Sequence, residues 1–247
     1  MLPVRFALLC AAGACLLAGS VRAESMVIDL QASWKNAGDR DATWTNGELV
    51  TVNGEFDEFG RFSSRVERDY ESADTVWEMT LVRGVNREFA SFAMTVTNTM
   101  ATPQVFSFFT ETPAAMAIAG PTQVITSTSL GVGDENANGA MLANDVGTAI
   151  YTASINGGVI DTLGDPLMLT AGPELTNSIT QSNMFGGGPA VAMGDTLRID
   201  MQFELSPGDT ATFISTLAIT PEPAGLTLLL AGGAVTLLRR RSSPQRV

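Results

Sequence analysis

The chain has 247 residues with 26 acidic side chains against 14 basic ones, a formal net charge of −12, and no histidine. That balance repels phosphate backbones and argues against nucleic acid as a partner. The missing histidine excludes Ser-His-Asp and Cys-His catalysis and histidine-ligated zinc.

Residues 1–23 carry one early cation, Arg5, then an apolar run over 6–18, then Val21-Arg22-Ala23. This layout predicts a secretory signal helix, cut between Ala23 and Glu24. The alternative, a membrane anchor, needs roughly 20 apolar residues, more than the run supplies. Both cysteines, Cys10 and Cys15, fall inside this segment. A lipoprotein box would need a larger aliphatic residue than Ala12 three places before Cys15. The rest of the chain cannot form disulfides, although an exported compartment would permit them. Between residues 24 and 220 eight cations face 25 carboxylates, a net charge of −17.

From residue 24 onward the hydrophobic period is two, and Gly, Asn, Asp and Pro punctuate it. SMVIDLQASW and GELVTVNGEF read as the first strands. Trp34 and Trp44 sit in polar surroundings, SWKNAGDRD and TWTNGE, and are candidates for stacking on sugar rings; a buried aromatic is the alternative for each. TVWEMTLV alternates with Trp77, Met79 and Leu81 in phase, which predicts a core role for Trp77. EFASFAMTVTN places Ala90, Phe92, Met94 and Val96 on one face, and QVFSFFTE and TQVITSTSL follow.

DENANGAMLAND, residues 134–145, has the spacing of an EF-hand-type loop. Asp134, Asn136 and Asn138 stand at positions 1, 3 and 5, Gly139 at position 6 and Asp145 at position 12. Calcium takes six to eight hard oxygens, and alternate side chains around a glycine-tightened turn supply several. Only two of these ligands are charged, Asp145 is shorter than the usual bidentate Glu, and the flanks read as strands. The alternative is an Asn/Gly-rich connection whose residues tolerate left-handed backbone. Calcium is the one cofactor that the sequence suggests.

TAIYTASI reads as a further strand, and Phe185-Gly186-Gly187-Gly188-Pro189 as a flexible surface loop. In TLRIDMQFELS, Leu197, Ile199, Met201, Phe203 and Leu205 share one face, and Arg198, Asp200, Gln202 and Glu204 the other. Ser206-Pro207-Gly208-Asp209 is a turn, and ATFISTLAIT brings Phe213, Leu217 and Ile219 into phase. The two runs are expected to pair as an antiparallel hairpin. No Gly-x-Ser-x-Gly elbow or phosphate-binding glycine loop occurs. Paired carboxylates such as Asp57-Glu58 and Asp134-Glu135 are adjacent in sequence, which in a strand turns them to opposite faces.

The end of the chain reads TPEPAGLTLLLAGGAVTLLRRR. The uncharged run over 224–238 spans roughly 22 Å as a helix, against a hydrocarbon core of about 30 Å. Arg239, Arg240 and Arg241 follow it directly and should remain cytoplasmic. Pro221-Glu222-Pro223, the apolar run and the arginine cluster, in that order, resemble the PEP-CTERM sorting signal of Gram-negative bacteria. The body between the two ends is similar to those of small PEP-CTERM proteins with no assigned activity. The resemblance implies transient retention in the inner membrane, cleavage near Pro-Glu-Pro by an exosortase, and release outward, often beside exopolysaccharide.

The expectation is therefore an all-β antiparallel β-sandwich of jelly-roll type over residues 24–219. A signal helix (1–23) precedes it and a sorting segment (220–247) follows, with a transmembrane helix over 224–238 and a basic tail over 239–247. Signal peptidase and exosortase are the partners during export. The precursor sits in the inner membrane with its body in the periplasm, and the mature form is secreted to the cell surface or beyond. The role expected is non-enzymatic, at the surface or in a polysaccharide matrix. A calcium-assisted carbohydrate-binding module is the second reading, and a small glycan-active enzyme the third.

Overall fold

Period-two alternation turns one face of each segment toward a core, so the chain forms strands. The computed structural model describes residues 25–37, 39, 43–46, 50–55, 61–69, 73–84, 87–114, 116–145 and 147–222. The strands in the first half are β1 (Ser25–Asn36), β2 (Thr45–Asn46), β3 (Val50–Glu55), β4 (Arg61–Asp69), β5 (Ala73–Gly84), β6 (Arg87–Asn98) and β7 (Gln104–Pro113). Those in the second half are β8 (Thr122–Gly133), β9 (Ala140–Ala143), β10 (Tyr151–Ile155), β11 (Gly158–Leu163), β12 (Met168–Ala171), β13 (Thr176–Gly188), β14 (Thr196–Leu205) and β15 (Thr210–Pro221). Among the described residues no helix is long and apolar enough to cross a membrane. The expected signal helix and the sorting helix over 224–238 lie outside the described residues.

The strands form two antiparallel sheets. The first has nine strands with the path β11-β10-β14-β7-β1-β2; β3 also pairs with β1, and β9 joins β14 to β12. The second runs β13-β8-β15-β6-β5-β4. Both send alternate side chains into one shared core, from Ile28 and Leu30 on β1 to Leu217 and Ile219 on β15. Phe203 of the first sheet meets Phe213 of the second at 4.4 Å between ring centroids, and Phe106 lies 5.8 Å from Phe203. A void lined by Ile28, Phe92, Leu197 and Leu217 measures about 10 Å³, at the lower limit for one water. The interior is packed and offers no ligand chamber there. The antiparallel, all-β, sandwich-like architecture agrees with the sequence.

Two local expectations are corrected. The runs on either side of Ser206-Pro207-Gly208-Asp209 do not pair with each other. β14 bonds to β7 and β10 in the first sheet, while β15 bonds to β6 and β8 in the second. The turn is an arch between sheets, so both apolar faces reach the same core from opposite sides. The second correction concerns Phe185 to Gly188, which is the end of β13 and not a loop. Gly188 pairs with Thr122 across a register shift.

The open edges of the two sheets meet at Asp161 on β11. Its carboxylate accepts from the Thr126 hydroxyl on β8 and from Asn183 Nδ2 on β13, the latter at 3.2 Å. Next to it, burial and then the charge of Asp161 push the Tyr151 phenol well above its usual range, and the hydroxyl donates to Thr216 O at 2.9 Å.

Candidate functional site

Inward residues of β14 are buried, so Arg198, Asp200, Gln202 and Glu204 all stand on the outer face of the first sheet. Register then supplies their neighbours. Arg198 lies opposite Glu111 on β7, and Asp200 opposite Phe109. Arg198 Nε donates to both oxygens of Asp200 at 2.9 Å, and Nη1 reaches Glu111 at 3.4 Å. The guanidinium carbon sits 4.0 Å above the centre of the Phe109 ring. The Asp200 hydrogen bond raises the Arg198 pKa further, against the opposing effect of burial. Arg198 is thereby held across the sheet by Asp200, Glu111 and the Phe109 ring. A groove of about 510 Å³ opens beside it, bordered by Thr152, Ser154 and Asn156 from β10 and its turn and by Thr196. A planar cation on an aromatic ring, bordered by hydroxyls, an amide and carboxylates, can meet a ligand rich in hydroxyl groups.

Further along the same face, Lys35 Nζ lies 3.5 Å from Asp145 and 4.8 Å from the centre of the Trp44 ring. Gln202 Nε2 donates to Asp145 at 3.1 Å. Burial and then the Asp145 charge raise the Glu204 pKa. Trp44, half-buried, is therefore part of this polar face, with an ammonium beside its ring. Trp34 is not. It is 7% exposed and shares an inward face with Ile28, Leu30 and Ala32, so the expectation that it stacks on sugar is corrected to core packing.

The proposed calcium ligands are divided. Asp134, Asn136 and Asn138 lie in the connection between β8 and β9, whereas Asp145 lies beyond the far end of β9. Four extended residues between them span roughly 13 Å, so the ligand set of an EF-hand-type loop does not close. Asp134 instead organises its own loop. Its Oδ1 accepts the amides of Asn138 at 3.2 Å and Gly139 at 3.1 Å, and its Oδ2 accepts that of Glu174 at 2.6 Å. Burial would raise its pKa, but these amides outweigh it and the net shift is downward. Asn136 Oδ1 accepts the Asn138 amide at 3.2 Å, and its Nδ2 donates to Pro207 O at 2.6 Å. The loop is thereby docked on the 206–209 arch.

Beside Asp134 in that arch stands Asp209, which is fully buried. Ser206 Oγ donates to its Oδ2, and its Oδ1 has no hydrogen-bond partner. Burial raises its pKa most, the Ser206 hydroxyl and the Glu135 amide lower it, and the neighbouring Asp134 raises it again. In the sequence Ser206-Pro207-Gly208-Asp209 reads only as a turn; no local pattern marks a carboxylate that folding carries against another 75 positions away.

The motif Pro221-Glu222-Pro223 is described for its first two residues. Pro221 ends β15, paired with Thr122, and Glu222 N donates to Pro121 O at 3.2 Å. Glu222 Oε1 accepts the Gly187 amide at 2.5 Å, and a Cβ on Gly186 would stand 2.5 Å from that oxygen. Ala23, Glu24, Pro223, Arg239, Arg240 and Arg241 lie outside the described residues.

No family model matches the chain. No curated protein matches it either. Among solved structures, the isomalto-dextranase of Arthrobacter globiformis T6 complexed with panose is similar over 80% of this chain and 32% of that one, at 8% identity and a TM-score of 0.24. The chain thus spans about a third of the length of that enzyme.

Proposed function

We propose that the protein is an exported, non-enzymatic β-sandwich that binds polysaccharide at the outer face of its first sheet. The observation that carries this reading is the Arg198 platform: a guanidinium held over Phe109 by Glu111 and Asp200, beside a groove lined with hydroxyls and an amide. Such a surface satisfies sugar hydroxyls in both directions and offers a flat, weakly hydrated cation to a ring face. An enzymatic reading is less favoured, because a glycosidase acid must keep its proton and an arginine ion pair works against that.

The export half of the proposal rests on the two ends of the sequence. Signal peptidase would remove residues 1–23. An exosortase would then cut near Pro221-Glu222-Pro223 while residues 224–238 hold the precursor in the inner membrane, leaving the mature form at the cell surface or in the exopolysaccharide matrix. The body between would be a sandwich of jelly-roll type, a reading supported by the chain's passage from sheet to sheet through β6, β7 and β8 and again through β13, β14 and β15.

Affinity electrophoresis in gels containing the producing cell's own exopolysaccharide tests the binding. The parent should be retarded, and Arg198→Ala should lose at least about tenfold in affinity, the equivalent of roughly 1.4 kcal/mol, with its melting temperature little changed. Equal migration of parent and variant in every polysaccharide gel would remove the groove from consideration.

A further inference from the structure

The Asp134–Asp209 contact poses a problem of charge that the groove does not share. Asp209 is buried completely and Asp134 to 92%, since 8% of it is exposed. The Asp209 Oδ1 atom has no donor. Its neighbour is another acceptor, because Asp134 carries a carboxylate whose two oxygens already receive three backbone amides. Buried polar atoms are almost always satisfied, and one that is not calls for a missing partner. Two carboxylates brought together in a buried place call for a positive partner.

We propose that Asp209 and Asp134 form a divalent-cation site, suited to calcium, which ties the 134–139 loop to the 206–209 arch. Lys35 pairs with Asp145, Arg65 with Glu67, and Arg198 with Glu111 and Asp200, none of them at this pair of carboxylates. Glu135 and Glu174, both exposed, border the pair through their backbone. The Glu135 amide faces Asp209, and the Glu174 amide donates to Asp134.

Among the described residues no three acidic side chains converge as a ready-made metal cluster. Two carboxylates do, and calcium completes its shell with backbone carbonyls and water more readily than magnesium, which demands near-ideal octahedral geometry. The backbone around the pair is already set in tight turns. Ala137 has φ 63°, Gly139 has φ 90°, and Gly208 has φ 70°. Asn98 anchors the other side of the arch: its backbone amide donates to Asp209 O at 2.9 Å, and its carbonyl accepts from Gly208 N at 2.9 Å. The pair therefore cannot relax apart without undoing a buried network. The inference does not depend on the groove: polysaccharide could fail to bind while the cation still does.

The test is calcium titration of the secreted chain, after chelation, followed by thermal melting and calorimetry. One ion per chain should bind with a Kd on the order of 10⁻⁴ to 10⁻³ M, as in extracellular modules, and about 5 mM calcium should raise Tm by roughly 2 to 9 °C. Asp209→Asn keeps the shape and places an N–H donor beside Asp134. The calcium-free variant should melt no lower than the calcium-free parent, and its response to calcium should vanish. A parent whose Tm and heat signal ignore 5 mM calcium (about five times the upper Kd) would overturn the site and leave a shared proton as the occupant. Equal calcium responses in parent and Asp209→Asn would also overturn it.

Discussion

Asn98 shows how much of this fold depends on single side chains. It is fully buried at the end of β6. Its Nδ2 donates to the carbonyls of Thr102, Leu205 and Ser206, each at 3.1 Å, and its Oδ1 accepts the Met100 amide at 3.0 Å. One amide thus satisfies the chain reversal after β6 and the arch after β14 together. Asn98→Ala leaves several buried carbonyls and one amide without partners. It should cost about 3 kcal/mol, seen as a lower urea midpoint at unchanged m-value; a loss below about 0.5 kcal/mol would show that water replaces the side chain freely. Nothing around Asn98 in the sequence distinguishes it from a turn asparagine, because the two partners that make it more than that, Leu205 and Ser206, lie more than a hundred positions away. Trp34 is the opposite case. Its burial was legible, since Ile28, Leu30, Ala32 and Trp34 are spaced by two, but the polar residues after it suggested exposure.

Strands with one apolar and one polar face were legible, and they include β1, β6, β7, β8, β14 and β15. Their partners were not. The alternation in β14 and β15 is the same whether the two pair as a hairpin or face each other across a core, and the choice is made by remote strands. Strands at edges were the hardest to see. β13 is mostly exposed and uncharged, so TNSITQSNMFGGG carries little hydrophobic period, and β4 alternates among charged residues. The glycine run at the end of β13 acquires its meaning only in the fold. Gly186 leaves room for the Glu222 carboxylate, which the adjacent Gly187 amide then binds. Gly186→Ala should therefore expel Glu222 and leave the Gly187 amide open. Hydrogen exchange at Gly187 should speed up about five- to tenfold while Ile179, in the first half of β13, keeps its protection. Unchanged exchange at Gly187 would mean that the carboxylate is not what protects it.

Charge acts on the whole molecule. Twenty-five carboxylates against eight cations between residues 24 and 220 make self-repulsion a standing cost of compactness. The sequence revealed the excess, but the fold decides where it is felt. On the outer face of the first sheet, cations hold Glu111, Asp200 and Asp145 in pairs, whereas Glu204 is half-buried with the Asp145 charge near it. Burial first, and that charge second, raise the Glu204 pKa above its ordinary value. The folded protein thus holds this proton to a higher pH than the unfolded chain does. Below the unfolded carboxylate value, near 4.3, both states are protonated and Glu204 costs nothing. As pH rises from there through the folded value, the unfolded chain binds fewer protons, so stability falls, and above the folded value the penalty is complete. Glu204→Gln should remove that slope and raise the urea midpoint at pH 7, with little effect at pH 4. Added salt should narrow the difference between parent and variant, because part of it comes from the Asp145 charge and partly exposed charges are screened over about 10 Å at 0.1 M. If parent and variant instead fall in parallel from pH 4 to pH 7, the pH dependence arises from the remaining acidic surface as a whole, and Glu204 has no special share in it.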